Sequence, residues 1–344
     1  MSIKLKKLDQ QVIVLTGATS GIGLATARMA AEQGAKLVLV AREADALDAL
    51  AHEMRQRGVE AATVAADVGD HADVARIGKT AIERFGRIDT WINNAGIGMF
   101  GTLEQVSLED MHRLMQTNFW GVVNGTLEAV KQLKAHGGGA IINVGSEASE
   151  HSVPLQGTYA ASKHAVKAFT ESLRMELEKD KAPISLTLVK PAAIETPFPA
   201  HAKNYMAEEP TLPPPIYAPD VVARTILHAA QVPERDLFVG GRAKLVKAAG
   251  NLIPRSLDRM MRGTMFDQQK SDKPSAPNRR DALHQPDPKR ELRERQDLGH
   301  RVHQQSYTTA FAMQSGLTKT VLVGGALLAA WTLIRKPGLR TWHA

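Results

Sequence analysis

The sequence contains no cysteine, which removes disulfides and thiolate metal sites and leaves the redox compartment open. Its twelve histidines form no pair at metal-ligand spacing. His52-Glu53 opens such a pattern, but no second histidine completes it, so no metal is expected. A G-x-S-x-G elbow is missing, and with it the usual sign of Ser-His-Asp hydrolysis. No internal repeat is present. Near the N-terminus the apolar run at 12–15 is shorter than the about 7–15 residues of a signal peptide. Net positive charge is scarce in the main part of the chain, where 30 Lys+Arg face 29 Asp+Glu. The formal charge of +7 comes mostly from residue 267 onward, where 13 Lys+Arg face 7 Asp+Glu. The pI of about 9.5 therefore belongs to the tail and gives no reason to expect nucleic-acid binding.

What is present, 344 residues of which 43% are hydrophobic, suffices for one large domain of about 250 residues with additions. Short apolar runs alternate with longer helical stretches. "QVIVLT" (11–16), "KLVLV" (36–40), "ATVAA" (62–66), "IDTWINN" (88–94), "AIINVG" (140–145), "ISLTLVK" (184–190) and "DLFVG" (236–240) predict seven strands. They are rich in Val, Ile and Leu without strict alternation, as strands buried on both faces are. Helices are predicted between them at 22–33, 43–57, 70–85, 107–135, 156–179 and 219–231. This rhythm predicts an α/β fold: a doubly wound, Rossmann-type parallel sheet of about seven strands with helices on both faces. The domain is expected to span 8–266.

After Pro191 the rhythm breaks. Seven further prolines, at 197, 199, 210, 213, 214, 215 and 219, mark a long connection expected to serve as a substrate loop over 192–218. From 267 to 316 the composition is polar and predicts a partly disordered linker. "TVLVGGALLAAWTLI" (320–334) is uncharged and apolar all round. As a helix it spans about 22 Å, against about 30 Å of bilayer hydrocarbon. Starting it at Leu317, with Lys319 snorkelling, lengthens it to about 27 Å, and the hydrophobic helix is expected over 317–336. A tail helix attaching an otherwise cytoplasmic domain to a membrane is one expectation; an oligomer contact or a flap on the domain are the others.

"TGATSGIG" (16–23) sits between the first strand and the first helix. Gly17, Gly21 and Gly23 remove side chains where the backbone must turn and approach a ligand. The helix N-terminus behind them offers unpaired N–H groups and partial positive charge, which suits a pyrophosphate. Tyr159 and Lys163 in "YAASK" are four residues apart and share a helical face. A free tyrosine, with a pKa of about 10, is a poor base at neutral pH, and a neighbouring ammonium lowers it.

In its G-x-x-x-G-x-G spacing, in "NNAG" at 93–96 and in "YAASK", the chain resembles the short-chain dehydrogenase/reductase family over roughly 8–240. The resemblance implies a nicotinamide dinucleotide held by Gly17, Thr19, Ser20, Gly21, Ile22 and Gly23, with Asn94, Ala95 and Gly96 beside them. It implies that Asp67 and Val68 contact adenine, and that Pro191, Ile194 and Thr196 close over the nicotinamide. Tyr159 becomes the general acid/base, Lys163 binds the nicotinamide ribose, Ser146 orients the substrate oxygen and Asn118 helps hold a relay water. Ser149 is the weaker candidate for the serine. Where many relatives have Pro-Gly, this chain has Pro191-Ala192-Ala193.

At the end of the second strand an acidic side chain would hold the ribose of NAD, whereas arginine suits a 2′-phosphate. Here Ala41 is followed by Arg42, which favours NADP(H) over NAD(H), with Glu43 as the alternative ribose ligand. Met99, Phe100, Phe198, Tyr205 and Met206 are expected either to face an apolar carbonyl or alcohol substrate or to cover the core. Family members are commonly homodimers or homotetramers built on the helices at 107–135 and 156–179. The rival reading is a non-catalytic NADP(H)-binding sensor or scaffold.

Overall fold

The computed structural model describes residues 3–286 and 292–314. Seven parallel strands form the central sheet: β1 Val12–Thr16, β2 Lys36–Ala41, β3 Ala61–Ala65, β4 Thr90–Asn93, β5 Gly139–Val144, β6 Ile184–Pro191 and β7 Asp236–Val239. Their order is β7-β6-β5-β4-β1-β2-β3. The order reverses between β1 and β4, and the carboxyl ends of strands at such a switch are where open α/β sheets bind ligands. Side chains alternate across the pleat. Ile13, Leu15, Leu37 and Leu39 enter one core with helices α1 (Gly21–Glu32), α2 (Ala44–Gln56) and α7 (Pro219–Ala229). Val12, Val14, Val38 and Trp91 enter the other, with α3 (His71–Phe85), α5 (Gly121–Ala135) and α6 (Gly157–Lys179). A sheet buried on both faces explains the unbroken apolar runs.

Local chemistry sets the helix ends. Asp70 caps α3 by accepting from Ala72 N (2.7 Å) and Asp73 N (3.2 Å), and Gly86 ends it at φ +74°. Ser107 caps α4 (Leu108–Met115) by accepting from Asp110 N. The single helix expected at 107–135 is interrupted: a π turn at Gln116–Trp120 separates α4 from α5. Such one-turn insertions often mark functional sites.

The proline-rich connection is stitched down rather than open. Lys203–Asn204 pairs with Met99–Phe100, and Ile216–Tyr217 lies between Ala193–Ile194 and Val302–His303. Two helices unforeseen in the sequence follow β7, α8 (Arg242–Leu252) and α9 (Pro254–Gln268).

The largest correction concerns 267–316. The described part of this stretch is no disordered linker. Lys270–Pro274 pairs antiparallel with Glu208–Pro210. Ala282 and Leu283 are buried, and Tyr307–Ala312 is a helix packed near β7 through a Thr309 Oγ1 bond to the Phe238 carbonyl. Polar composition misled here because backbone pairing and a few buried apolar side chains anchor the stretch. The hydrophobic helix expected at 317–336 lies outside the described residues. Among the described residues no helix is long and apolar enough to cross a membrane.

Candidate active site

Contiguous cavities run along the carboxyl ends of β1, β2, β4, β5 and β6. One is lined by Gly17, Thr19, Ser20, Arg42, Asp67 and Val68. The next is lined by Asn94, Ser146, Tyr159, Lys163, Pro191 and Thr196, with Ile22 and Ile194. Gly21 and Ala95 line the passage between them, and Gly96 belongs to every part. Of the residues expected to hold the cofactor or carry the chemistry, only Gly23 and Asn118 stand behind the wall.

Gly23 explains its own place. A Cβ there would lie 1.9 Å from the Gly17 carbonyl oxygen, so any other residue pushes the loop apart. Gly17 has φ +68° and comes so close to Ala95 that a Cβ would sit 2.9 Å from its Cα. Asn94 clamps the loop from the β4 side: its Nδ2 donates to the carbonyls of Thr16 (3.0 Å) and Gly17 (3.2 Å). Ser20, at the N-cap of α1, makes no side-chain capping bond. The glycine cradle and the helix start fit a pyrophosphate, but Gly21 N donates here to the Arg293 carbonyl at 2.8 Å, a bond that a bound pyrophosphate would have to replace.

At the other end, Tyr159 and Lys163 lie on α6 and Ser146 just past β5. Lys163 Nζ donates to the Val144 carbonyl at 3.0 Å and sits 5.7 Å from the centre of the Tyr159 ring. The Ser146 hydroxyl lies beside the Tyr159 hydroxyl on the same cavity wall. Ser149 is buried away from the cavity and donates to the Ser146 carbonyl at 2.7 Å, so Ser146 is the serine on the wall.

The expectation that the ammonium lowers the phenol is not met in this structure. Burial pushes the Tyr159 hydroxyl up to about 12; the Ser146 hydroxyl pulls it down, and the nearby Glu147 carboxylate adds to the rise. Burial likewise pulls the Lys163 ammonium down to about 8. Asn118, in the π turn, is fully buried. Its Oδ1 accepts from Ile97 N (2.8 Å) and its Nδ2 donates to the Ile97 carbonyl (2.9 Å), pinning the chain next to Gly96.

Arg42 reaches the cavity, but it is not a solvated surface charge. It donates to the carbonyls of Ala282 and Leu283. Burial and the neighbouring Arg113 guanidinium hold it below its usual value, with Asp67 opposing. Asp67 is held by Arg113 and accepts from Gly69 N at 2.9 Å. Glu43 lines the same cavity.

Of the apolar residues expected near the substrate, Phe198 alone lines these cavities, meeting Tyr159 edge-on at 5.4 Å between ring centres. Met99 and Phe100 are core, and Tyr205 turns its hydroxyl to Asp110 at 2.6 Å. The catalytic end gains residues the sequence reading missed: Glu147, Leu212, Pro213 and Met265. Ala282 and Pro286 join the other end. A carboxylate directly after Ser146 was visible in the sequence; nothing there marked Met265, Ala282 or Pro286. Among the described residues no group of carboxylates and histidines could hold a metal ion.

Residues 11–206 match the short chain dehydrogenase family. "Uncharacterized oxidoreductase YxnA" of Bacillus subtilis (strain 168) is 49% identical over 284 residues, covering 82% of this chain and 80% of the relative. An alcohol dehydrogenase from the archaeon Thermococcus sibiricus, complexed with 5-hydroxy-NADP, is 30% identical with a TM-score of 0.59, covering 67% of this chain and 95% of that one. A short chain dehydrogenase/reductase from Burkholderia phymatum, in complex with NAD, is 26% identical with a TM-score of 0.62, covering 79% of this chain and 100% of that one. The fold, the glycine cradle and these matches agree: the chain belongs to the short-chain dehydrogenase/reductase family and is an oxidoreductase acting on CH–OH groups.

Proposed function

We propose that this protein is an NADP(H)-dependent carbonyl reductase or alcohol dehydrogenase in which Tyr159 is the general acid/base. One observation carries the reading: the Tyr159 hydroxyl, Ser146 and Lys163 meet on one cavity wall, in line with a glycine cradle that ends at Arg42. The nicotinamide, when bound, supplies or accepts the hydride. Gly17, Thr19, Ser20, Gly21, Ile22 and Gly23 would hold the pyrophosphate, and Asn94, Ala95 and Gly96 the adjoining ribose. Asp67 and Val68 would flank adenine. Pro191, Ile194 and Thr196 would border the nicotinamide.

In reduction, Tyr159 gives its proton to the substrate oxygen while the Ser146 hydroxyl bonds the same oxygen and stabilises charge developing there. With its pKa near 12 the phenol stays protonated at neutral pH, the state a proton donor needs. In oxidation, Tyr159 takes the proton instead, a step that needs its hydroxyl lowered from the value that burial gives it here. Asn118 positions Ile97 and Gly96 against Lys163 and would help hold a relay water. Phe198, Leu212, Pro213 and Met265 make the substrate end largely apolar, which favours an apolar aldehyde, ketone or secondary alcohol.

The test is NADPH oxidation with a panel of aldehydes, ketones and quinones; no turnover of any of them argues for a binding protein instead. Solved relatives carry both NADP-type and NAD cofactors, so Arg42 decides the preference. Arg42→Ala is expected to weaken NADPH about tenfold and NADH less than about threefold, as loss of a charge-assisted contact would. Fluorescence titration of both cofactors measures it; equal losses would move the preference to Glu43.

The family's oligomer surface also has support. Trp120 and Leu127, each 49% exposed, and Met175, 62% exposed, lie along the two helices expected to pair. Leu127→Glu is expected to convert a dimer or tetramer to smaller species by light scattering; a monomeric parent protein would contradict it.

A further inference from the structure

The cofactor cradle is built by the sheet domain, but its adenosine end has a wall from elsewhere. Residues 276–286 return across the carboxyl ends of β2 and β3. They are tied down along their length. Arg279 donates to the carbonyls of Pro199, Ala200 and Ala202 and pairs with Glu209 at 2.9 Å. Ala282 N donates to the His201 carbonyl at 2.8 Å. His284 meets Asp110 at 2.7 Å. Leu283 is fully buried beside Ile97 and Leu114. Ala282 and Pro286 then face Ala41, Ala66 and Val68 across the cavity that Asp67 and Arg42 border.

Two guanidiniums converge on this segment. The Leu283 carbonyl accepts from Arg42 Nη1 at 3.2 Å and from Arg113 Nε at 3.1 Å. Arg42 also donates to Ala282, and Arg113 also donates to Asp67. Two like charges sharing one neutral oxygen repel, and the arrangement persists because the segment and Asp67 hold it. Each guanidinium has five N–H donors. The contacts named use two of those on Arg42, which lines the cavity and retains donor capacity for an anion; Arg113 is not among the lining residues and stands behind it. Planar forks of this kind match phosphate oxygens bidentately. Glu43, the next residue on, faces the same space and suits a ribose hydroxyl rather than a phosphate.

We propose that residues 276–286 are the outer wall of the adenosine site, and that they, with Arg113 behind them, fix Arg42 as the cradle for the 2′-phosphate of NADP(H). The cradle rests on the NADP(H) reading; the wall does not. Arg113, supplied by α4, is a positioning residue that holds the Leu283 carbonyl and Asp67 beside Arg42. The C-terminal region is thereby part of the binding site and not an appendage to it.

The experiment is calorimetric titration of the full chain with two cofactor fragments, 5′-AMP and 2′,5′-ADP. Arg113→Ala, which releases the Leu283 carbonyl and Asp67 beside Arg42, is expected to weaken 2′,5′-ADP about tenfold and 5′-AMP less than about twofold. Arg113→Lys should recover part of the loss. Leu283→Ala and His284→Ala, which loosen the wall, are each expected to weaken both fragments roughly threefold or more. His284 is partly exposed, so that variant keeps the measurement available if the buried substitution fails to fold. Unchanged or tighter 5′-AMP binding in the folded wall variants overturns the wall, and tighter binding would show the segment to be a competitor for the site. Equal losses of both fragments in Arg113→Ala overturn the cradle. Wild-type protein with no preference for 2′,5′-ADP removes the NADP(H) reading, and 5′-AMP still reports on the wall.

Discussion

Tyr159→Phe is expected to lower kcat by about a thousandfold while NADPH still binds, the middle of the range that general acid/base groups contribute. The substitution removes one oxygen and leaves the ring. Edge-on contact with Phe198 is kept, so the cavity retains its shape. Lys163 keeps its bond to the Val144 carbonyl, and the glycine cradle is untouched. What disappears is the proton that must reach the substrate oxygen and the neighbour of Ser146. Steady-state kinetics beside a cofactor titration separate the two effects. Turnover at the wild-type rate would refute the role given to Tyr159. Loss of cofactor binding together with turnover would make it a structural residue.

Glu150→Gln is expected to cost about 3 kcal/mol of stability, the low end for breaking one partner out of a buried ion pair. Glu150 follows the short turn that carries Ser146, and its side chain is 1% exposed. Three lysines surround it: Lys190 at 2.7 Å, Lys167 at 2.9 Å and Lys247 at 3.3 Å. Lys190, on β6, is itself buried, and Asp236 at 3.3 Å is its remaining carboxylate. The lysines hold the Glu150 carboxyl down to about 2, against 4.5 for a free glutamate, although burial alone would raise it. The folded value is the lower one. Its contribution is therefore complete above about pH 4.5 and is lost as pH falls toward 2. An amide cannot balance the buried ammonium at any pH. A fall in melting temperature of roughly 6–12 °C at neutral pH follows for a domain of this size. The gap between variant and parent should close below pH 3. A constant gap across that range would show that packing, not charge, holds the turn.

The parts of the fold legible in the sequence are those whose signal is local. Apolar runs such as "KLVLV" become β2 because a strand buried on both faces must be apolar throughout. Gly17, Gly21 and Gly23 announce their loop because no side chain fits there. Tyr159 and Lys163 announce a shared face through a spacing of four. The illegible parts depend on partners distant in sequence. Ala282 and Leu283 are two apolar residues in a polar stretch, and only Ile97 and Leu114 give them a reason to be buried. Lys270–Pro274 has no strand pattern, yet its backbone pairs with Glu208–Pro210. Met99 and Phe100 look alike to any rule of composition whether they face substrate or core. The Tyr159 proton was misjudged for a similar reason: the spacing reveals the neighbouring ammonium but not the depth of burial that outweighs it.

The groups proposed to hold cofactor and to serve the proton transfer leave from adjacent strands of a single hydrogen-bonded platform, Gly17 from β1, Asn94 from β4 and Ser146 from β5. Lengthening a surface helix or an outer turn therefore leaves their spacing alone, and such changes can accumulate without retuning the chemistry. A slip of one residue in β5 is a different matter. It would carry Ser146 about 3.3 Å along the strand and turn it to the opposite side of the sheet.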